Sequence, residues 1–177
     1  DGLQDLLIGG AGRYDSLVGY IPRLQLFENV GSAQAPSFEL VSDDYLALSG
    51  NPVFDNINWI KPAPGDLDGD GDQDLLLGAS DGTLYHFLNS ASPGADASYS
   101  LFATNFAGID VGINSAPQLV DLDNDNDLDL LIGNHRGYIH YYNNIGTTSA
   151  ANYVLVEDTF GMVKMNDHTG QAVSNGF

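Results

Sequence analysis

Ten aspartates fall into two nine-residue runs in which every second residue is acidic: Asp66, Asp68, Asp70, Asp72 and Asp74, then Asp121, Asp123, Asp125, Asp127 and Asp129. Carboxylates a few ångströms apart repel one another unless a cation sits among them, so each run implies a bound cation. Oxygens at positions 1, 3 and 5, followed by a tight turn at position 6, converge on one point. Such an oxygen-only donor set suits a hard cation that takes six to eight oxygens, whereas zinc would seek Cys or His, and the runs contain neither. The expected cofactor is Ca2+, at two sites. Side-chain ligands at the first are Asp66, Asp68, Asp70 and Asp74, with the backbone carbonyl of Asp72. At the second they are Asp121, Asp123, Asp125 and Asp129, with the carbonyl of Asp127. Position 6 is Gly71 in one run and Asn126 in the other, and both residue types tolerate the left-handed backbone that the turn needs.

The spacing excludes the commonest alternative. An EF-hand loop carries a bidentate Glu at position 12 between two helices, but position 12 here is Leu77 or Ile132, inside an apolar run. The short-period Gly-Gly-x-Gly-x-Asp pattern of a calcium roll is also missing. A merely solvated acidic turn does not account for recurrence in one register before nearly the same strand, Leu75-Leu-Leu-Gly78 and Leu130-Leu-Ile-Gly133. A third, partial copy, Asp1-Gly-Leu-Gln-Asp5 followed by Leu6-Leu-Ile-Gly9, supplies only positions 5 and 9, and no metal is expected there.

The elements that must position these runs also repeat. Aligned loops are separated by 69 residues (Asp1 to Asp70) and 55 residues (Asp70 to Asp125), a period typical of propellers, solenoids or arrays. Leu24 to Asn29, Leu84 to Asn89 and Ile139 to Asn144 occupy one offset, each a short aromatic or β-branched run ending in Asn. A further run follows in each unit, at 38–41, 99–102 and 153–157, and 61–64 and 115–120 precede the full loops. Four short strand candidates per unit, punctuated by Gly, Asn, Ser and Pro and without helical periodicity, predict an all-β chain. Its units are 1–60, 61–114 and 115–177.

From Ala116 to Gly146 the chain reads Ala-Pro, the acidic loop, Leu-Leu-Ile-Gly, then Gly-x-Ile-x-Tyr-Tyr-x-Asn-x-Gly. This pattern resembles the FG-GAP/VCBS repeat of integrin α-subunit-like β-propellers. The resemblance implies four-stranded antiparallel blades, calcium in the loop joining the first two strands of each, and an extracellular or cell-surface setting, often in long bacterial proteins. The first unit is about 14 residues longer than the second, with 10–19 and 49–60 as insertions. Because a propeller needs roughly four to eight blades to close, about three blades are expected to form part of a larger array. Unpaired edges and apolar blade faces at each end then call for neighbouring blades of a longer chain or assembly.

Composition narrows the function classes. The 177 residues carry 24 acidic against 5 basic side chains, a formal net charge of −19, and twelve of the acids lie in the three loop copies. Nucleic-acid binding and direct membrane insertion are not expected, because Arg13, Arg23, Lys61, Arg136 and Lys164 are scattered and no apolar run has transmembrane length. With no Cys there is no disulfide. His86 and His140, one position out of register in neighbouring second strands, read as polar strand positions, and His135 and His168 fall in turn-like sequence. No nucleophile elbow, phosphate loop or dinucleotide fingerprint occurs. Trp59 is expected to pack between blades, the alternative being a sugar-stacking cluster with Tyr14, Tyr20 and Tyr45. These features together lead to a non-catalytic, calcium-binding propeller segment acting in adhesion, recognition or extracellular structure, with a protein or glycan partner at the cell surface. The alternatives are a propeller appendage of a secreted hydrolase or lyase, and a carbohydrate-binding lectin module.

Overall fold

The computed structural model describes residues 2–17, 19–92 and 95–160. Asp1 of the partial loop, His168, and the 161–177 portion of the third sequence unit lie outside the described residues. The described chain is all-β, without an α-helix, and its strands form four antiparallel sheets. By contact density it divides into two compact units, 1–62 and 63–177.

In the first unit, β1 (Leu6–Gly9), β4 (Leu24–Asn29) and β5 (Phe38–Ser42) form a three-stranded sheet in the order β1-β4-β5. The extra residues between β1 and β4 form a separate hairpin, β2 (Arg13–Asp15) with β3 (Gly19–Ile21), in which Tyr14 and Tyr20 pair edge to face at 5.3 Å. After β5 comes a 3-10 turn, Tyr45–Ala47, matched after β9 (99–103) by Phe106–Gly108, and the 49–60 insertion holds a further one, Pro52–Phe54, which buries Phe54. Trp59, expected to be packed away, is instead 50% exposed, on a backbone with φ of 55°.

The second unit repeats a single four-stranded meander. Its first sheet runs β6 (Lys61–Gly65), β7 (Asp74–Gly78), β8 (Leu84–Asn89), β9 (Tyr99–Ala103). Its second runs β10 (Ala116–Val120), β11 (Asp129–Gly133), β12 (Ile139–Asn144), β13 (Tyr153–Glu157). The near-continuous apolar sequence of β7 matches a strand covered on both faces, and every residue of it is buried. Withdrawing each of Leu75, Leu76 and Leu77 from water contributes about 1.5–3 kcal/mol. The two sheets share one core, in which Ala63, Leu67, Leu76 and Leu84 meet Leu119, Leu130 and Ile132. Buried Ser115 ties them further, accepting from the Ala79 amide at 2.8 Å and donating to the Thr83 carbonyl at 2.7 Å. Gly78 is required at that junction, where a Cβ would come within 2.4 Å of the Ser115 carbonyl oxygen.

A β-bulge recurs at the same step of β4, β8 and β12 in the three larger sheets, at Leu26/Phe27, His86/Phe87 and Tyr141/Tyr142. Bulges re-aim side chains, and two of these residues, His86 and Tyr141, sit against the acidic loops.

Candidate metal centre

Each acidic run forms the connection between the first two strands of a four-stranded sheet, β6 to β7 and β10 to β11. The loop curls because its own carboxylates bind its amides. Asp66 accepts from Gly69 N at 2.6 Å and Gly71 N at 3.0 Å, and Asp70 accepts from Asp72 N at 3.0 Å. In the other loop Asp121 accepts from Asp125 N and Asn126 N, both at 3.2 Å, and Asp125 accepts from Asp127 N at 3.1 Å. The turn residue at position 6 has positive φ in both, 94° at Gly71 and 73° at Asn126, as does position 4, 77° at Gly69 and 63° at Asn124. Asn stands in for Gly because it visits this region at low cost.

The curl gathers oxygens. Carboxylate oxygens of Asp66, Asp68 and Asp74 lie within 4.8 Å of one another, and so do those of Asp121, Asp123 and Asp125. Two oxygens on opposite sides of an ion bound at about 2.4 Å are separated by that same distance, so each cluster could hold a metal ion. Three of the four expected side-chain ligands converge in each loop. Asp70 in the first and Asp129 in the second stand outside the mutual set.

Position 9 has a second duty. Asp74 is 1% exposed, accepting from Leu67 N at 3.0 Å and from Asn89 N at 2.8 Å, so its carboxylate clips the start of the loop to the far end of β8. Asp129 does the same with Leu122 N at 3.0 Å and Asn144 N at 2.8 Å. In the partial copy Asp5 accepts from Asn29 N at 2.9 Å. The asparagines continue the chain of contacts. Asn29 Oδ1 accepts from the amides of Gly31 and Ser37, Asn89 from Ala91 and Ser98, and Asn144 from Gly146 and Asn152. The role of these asparagines is not evident from the loops alone, although their common offset at the ends of β4, β8 and β12 is visible in the sequence.

The bulge residues meet the same carboxylates. Tyr141 donates its hydroxyl to Asp129 Oδ2 at 3.3 Å, while His86 Nε2 lies 3.7 Å from Asp74 Oδ2. Burial among Phe102 and Phe106 pushes the His86 imidazolium down in pKa despite the neighbouring Asp74 charge, favouring the neutral ring. His140 is elsewhere, 3.0 Å from the Asn134 amide nitrogen. His86 and His140 thus occupy different environments.

The carboxylates are also poorly satisfied as anions. Asp72 Oδ1 and Oδ2 and Asp127 Oδ1 are buried without a hydrogen-bond partner. Loss of water, with the charges of the neighbouring aspartates added, raises the pKa of Asp68, Asp72 and Asp127. A buried anion lacking a partner is costly, and a hard cation would supply what is missing. The donor set fits such an ion.

Residues 66–132 match the family model of the FG-GAP-like repeat. The match begins at the first aspartate of one loop and ends inside β11, just beyond the other. The FG-GAP-like stretch therefore contains both loops and the strands between them, β7 to β10. No curated protein and no solved structure matches the chain.

Proposed function

We propose that the two loops of the FG-GAP-like stretch bind calcium, and that the ion locks the β6–β7 and β10–β11 connections so that adjacent blades hold a rigid face. The observation that carries this reading is the convergence of three carboxylates in each of two loops at the same place in two sheets. Calcium is the preferred ion because every donor is oxygen and the loops are curled by Asp and backbone amides, without His or Cys. On this reading the chain is a non-catalytic segment of an extracellular or cell-surface protein, where calcium is abundant enough for extracellular sites with Kd of about 10⁻⁴–10⁻³ M. Its work is adhesion, recognition or extracellular structure, with a protein or glycan partner and with neighbouring blades of a longer chain or assembly. The decisive experiment is thermal melting in millimolar calcium and in chelator. Stabilisation by calcium that magnesium does not reproduce supports the proposal, and identical melting in both conditions refutes it.

A further inference from the structure

The connection that follows the Leu-Leu-Ile-Gly or Leu-Leu-Leu-Gly strand is short after β7 and β11, at 79–83 and 134–138, and long after β1, where 10–23 intervene before β4. Strand register pairs Ile8 with Gln25 as it pairs Leu77 with Tyr85 and Ile132 with His140. Beside the short turns this position is filled. Tyr85 is 5% exposed and donates its hydroxyl to Asp81 of the turn at 2.8 Å, and His140 lies against Asn134. With Gln25 there instead, and the connection drawn out, the first unit has a cavity of about 170 Å3 lined by Ile8, Gly9 to Gly12, Arg23 and Gln25. Gly10 leaves it open. A Cβ there would meet nothing within 4 Å and the backbone lies outside the left-handed region, whereas Ala79, which likewise follows the strand's glycine, is fully buried.

The polar wall of the cavity is held in place by one oxygen. Asp43 Oδ1 accepts from Arg23 Nε at 3.1 Å, from Arg23 Nη2 and from Gln25 Nε2 at 2.6 Å. Among the described residues, Arg23 Nη1, Gln25 Oε1 and Asp43 Oδ2 then have no hydrogen-bond partner, which leaves one donor and two acceptors close to the apolar Ile8 and Ala11. Because Arg23 and Asp43 offset each other's charge, an anion finds no unspent cation here and a cation no unspent carboxylate. The cavity fits an uncharged ligand with apolar C–H faces and with hydroxyls that both donate and accept, which is the chemistry of a sugar ring. Its volume, below the about 300–1,000 Å3 of sites that engulf a drug-sized ligand, suits a single ring. The segments that bound it carry exposed aromatic rings, which offer further apolar faces: Tyr14 and Tyr20 on the hairpin, and Trp59 next to Ile60, whose amide donates to the Gly10 carbonyl at 3.0 Å.

We infer that this cavity binds one sugar ring of a neutral glycan, with Arg23, Gln25 and Asp43 meeting its hydroxyls and Ile8 and Ala11 its C–H face. The inference deepens the recognition reading, on which it rests, by making the partner a glycan, and it is independent of the calcium loops.

The test is saturation-transfer NMR on the full chain in millimolar calcium, with the methyl glycosides of glucose, galactose, mannose and N-acetylglucosamine as probes. Transfer to one or more of them is expected at millimolar affinity, as befits a ligand of about a dozen non-hydrogen atoms. Gln25→Tyr, which copies β8, and Gly10→Leu, whose side chain starts in open space, should each abolish transfer while leaving the thermal melt unchanged. Transfer that persists in both variants overturns the inference. A wild-type chain that calcium stabilises but that receives no transfer to any of the four probes also overturns it, leaves the calcium reading intact and turns the choice of partner to a protein. A chain that binds a glycoside without any stabilisation by calcium upholds the inference and refutes the calcium reading instead.

Discussion

The loops at 66–74 and 121–129 reach one geometry with different residues. The first uses glycine at positions 4 and 6, the second asparagine, and all four residues sit at positive φ. The first has His86 beside its position-9 carboxylate, the second a hydrogen-bonding Tyr141. The position-9 contacts do not vary: each carboxylate takes one amide from position 2 of its loop and one from the asparagine closing the next strand. The comparison separates two tasks. Positions 1 and 3 bring their carboxylates into the cluster of both loops, joined by position 9 in the first and position 5 in the second, whereas position 9 in both loops holds the blade together. In the partial copy Asp5 makes the same bond to Asn29.

The largest expected effect follows from that division. Asp74→Ala or Asp129→Ala leaves two amides without their acceptor, at about 1–3 kcal/mol each where they stay buried. The loss should appear in denaturant melts with chelator as well as with calcium. A variant destabilised only in calcium would show position 9 to be a ligand and nothing more.

Next in size is the contribution of the ion itself. A ligand bound only by the folded loop stabilises it by about 2.7 kcal/mol at a hundredfold excess over Kd. Asp68→Ala and Asp123→Ala should each abolish one loop's share of the calcium-dependent shift in melting temperature while leaving the chelator melt nearly unchanged. Equal losses in both buffers would erase the distinction between the two tasks.

Acidity offers a third test. The raised pKa of Asp68, Asp72 and Asp127 means that the folded, ion-free chain binds more protons than the unfolded chain above the ordinary carboxylate value of about 3.9. These groups therefore favour the ion-free fold as pH falls from neutrality toward that value, and the same protons compete with calcium. The calcium-induced shift in melting temperature should shrink progressively over this window, measured by paired melts at each pH. A shift constant from pH 7 to pH 4 would contradict the crowding of these carboxylates.

The smallest effects concern the substituted positions. Tyr141→Phe removes one hydrogen bond to Asp129 and should cost about 1 kcal/mol. Gly71→Asn copies the other loop into a site where a Cβ meets nothing within 4 Å. It should cost less than alanine there, because Asn tolerates the left-handed backbone. Gly71→Ala, facing the left-handed backbone without the help of an Asn side chain, should cost about 1–2 kcal/mol.

Much of this was legible in the sequence because the repeat makes each unit a control for the others. Alternating aspartates marked the loops, the Leu-Leu-Leu-Gly and Leu-Leu-Ile-Gly runs marked the strands that follow them, and the all-β, four-stranded pattern followed from punctuation by Gly, Asn and Pro. The double role of Asp74 and Asp129 was not legible. A carboxylate bound to a remote amide has the same one-letter code as a ligand, and the Asn89 and Asn144 amides lie 15 residues away. Burial at position 7 was hidden for a similar reason, since a loop residue between polar neighbours carries no periodic signal of which way its side chain turns. Trp59 was misjudged because aromatic size suggests packing, whereas it stands half exposed two residues before β6, at the positive-φ position that Asn114 fills before β10.

The central claim is that each of the two complete loops holds one calcium ion. Equilibrating the full 177-residue chain against millimolar calcium and counting bound metal by mass spectrometry tests it most directly. Two calcium ions per chain are expected, falling to one in Asp68→Ala or Asp123→Ala. A count of zero, or zinc bound in preference to calcium, would contradict the account.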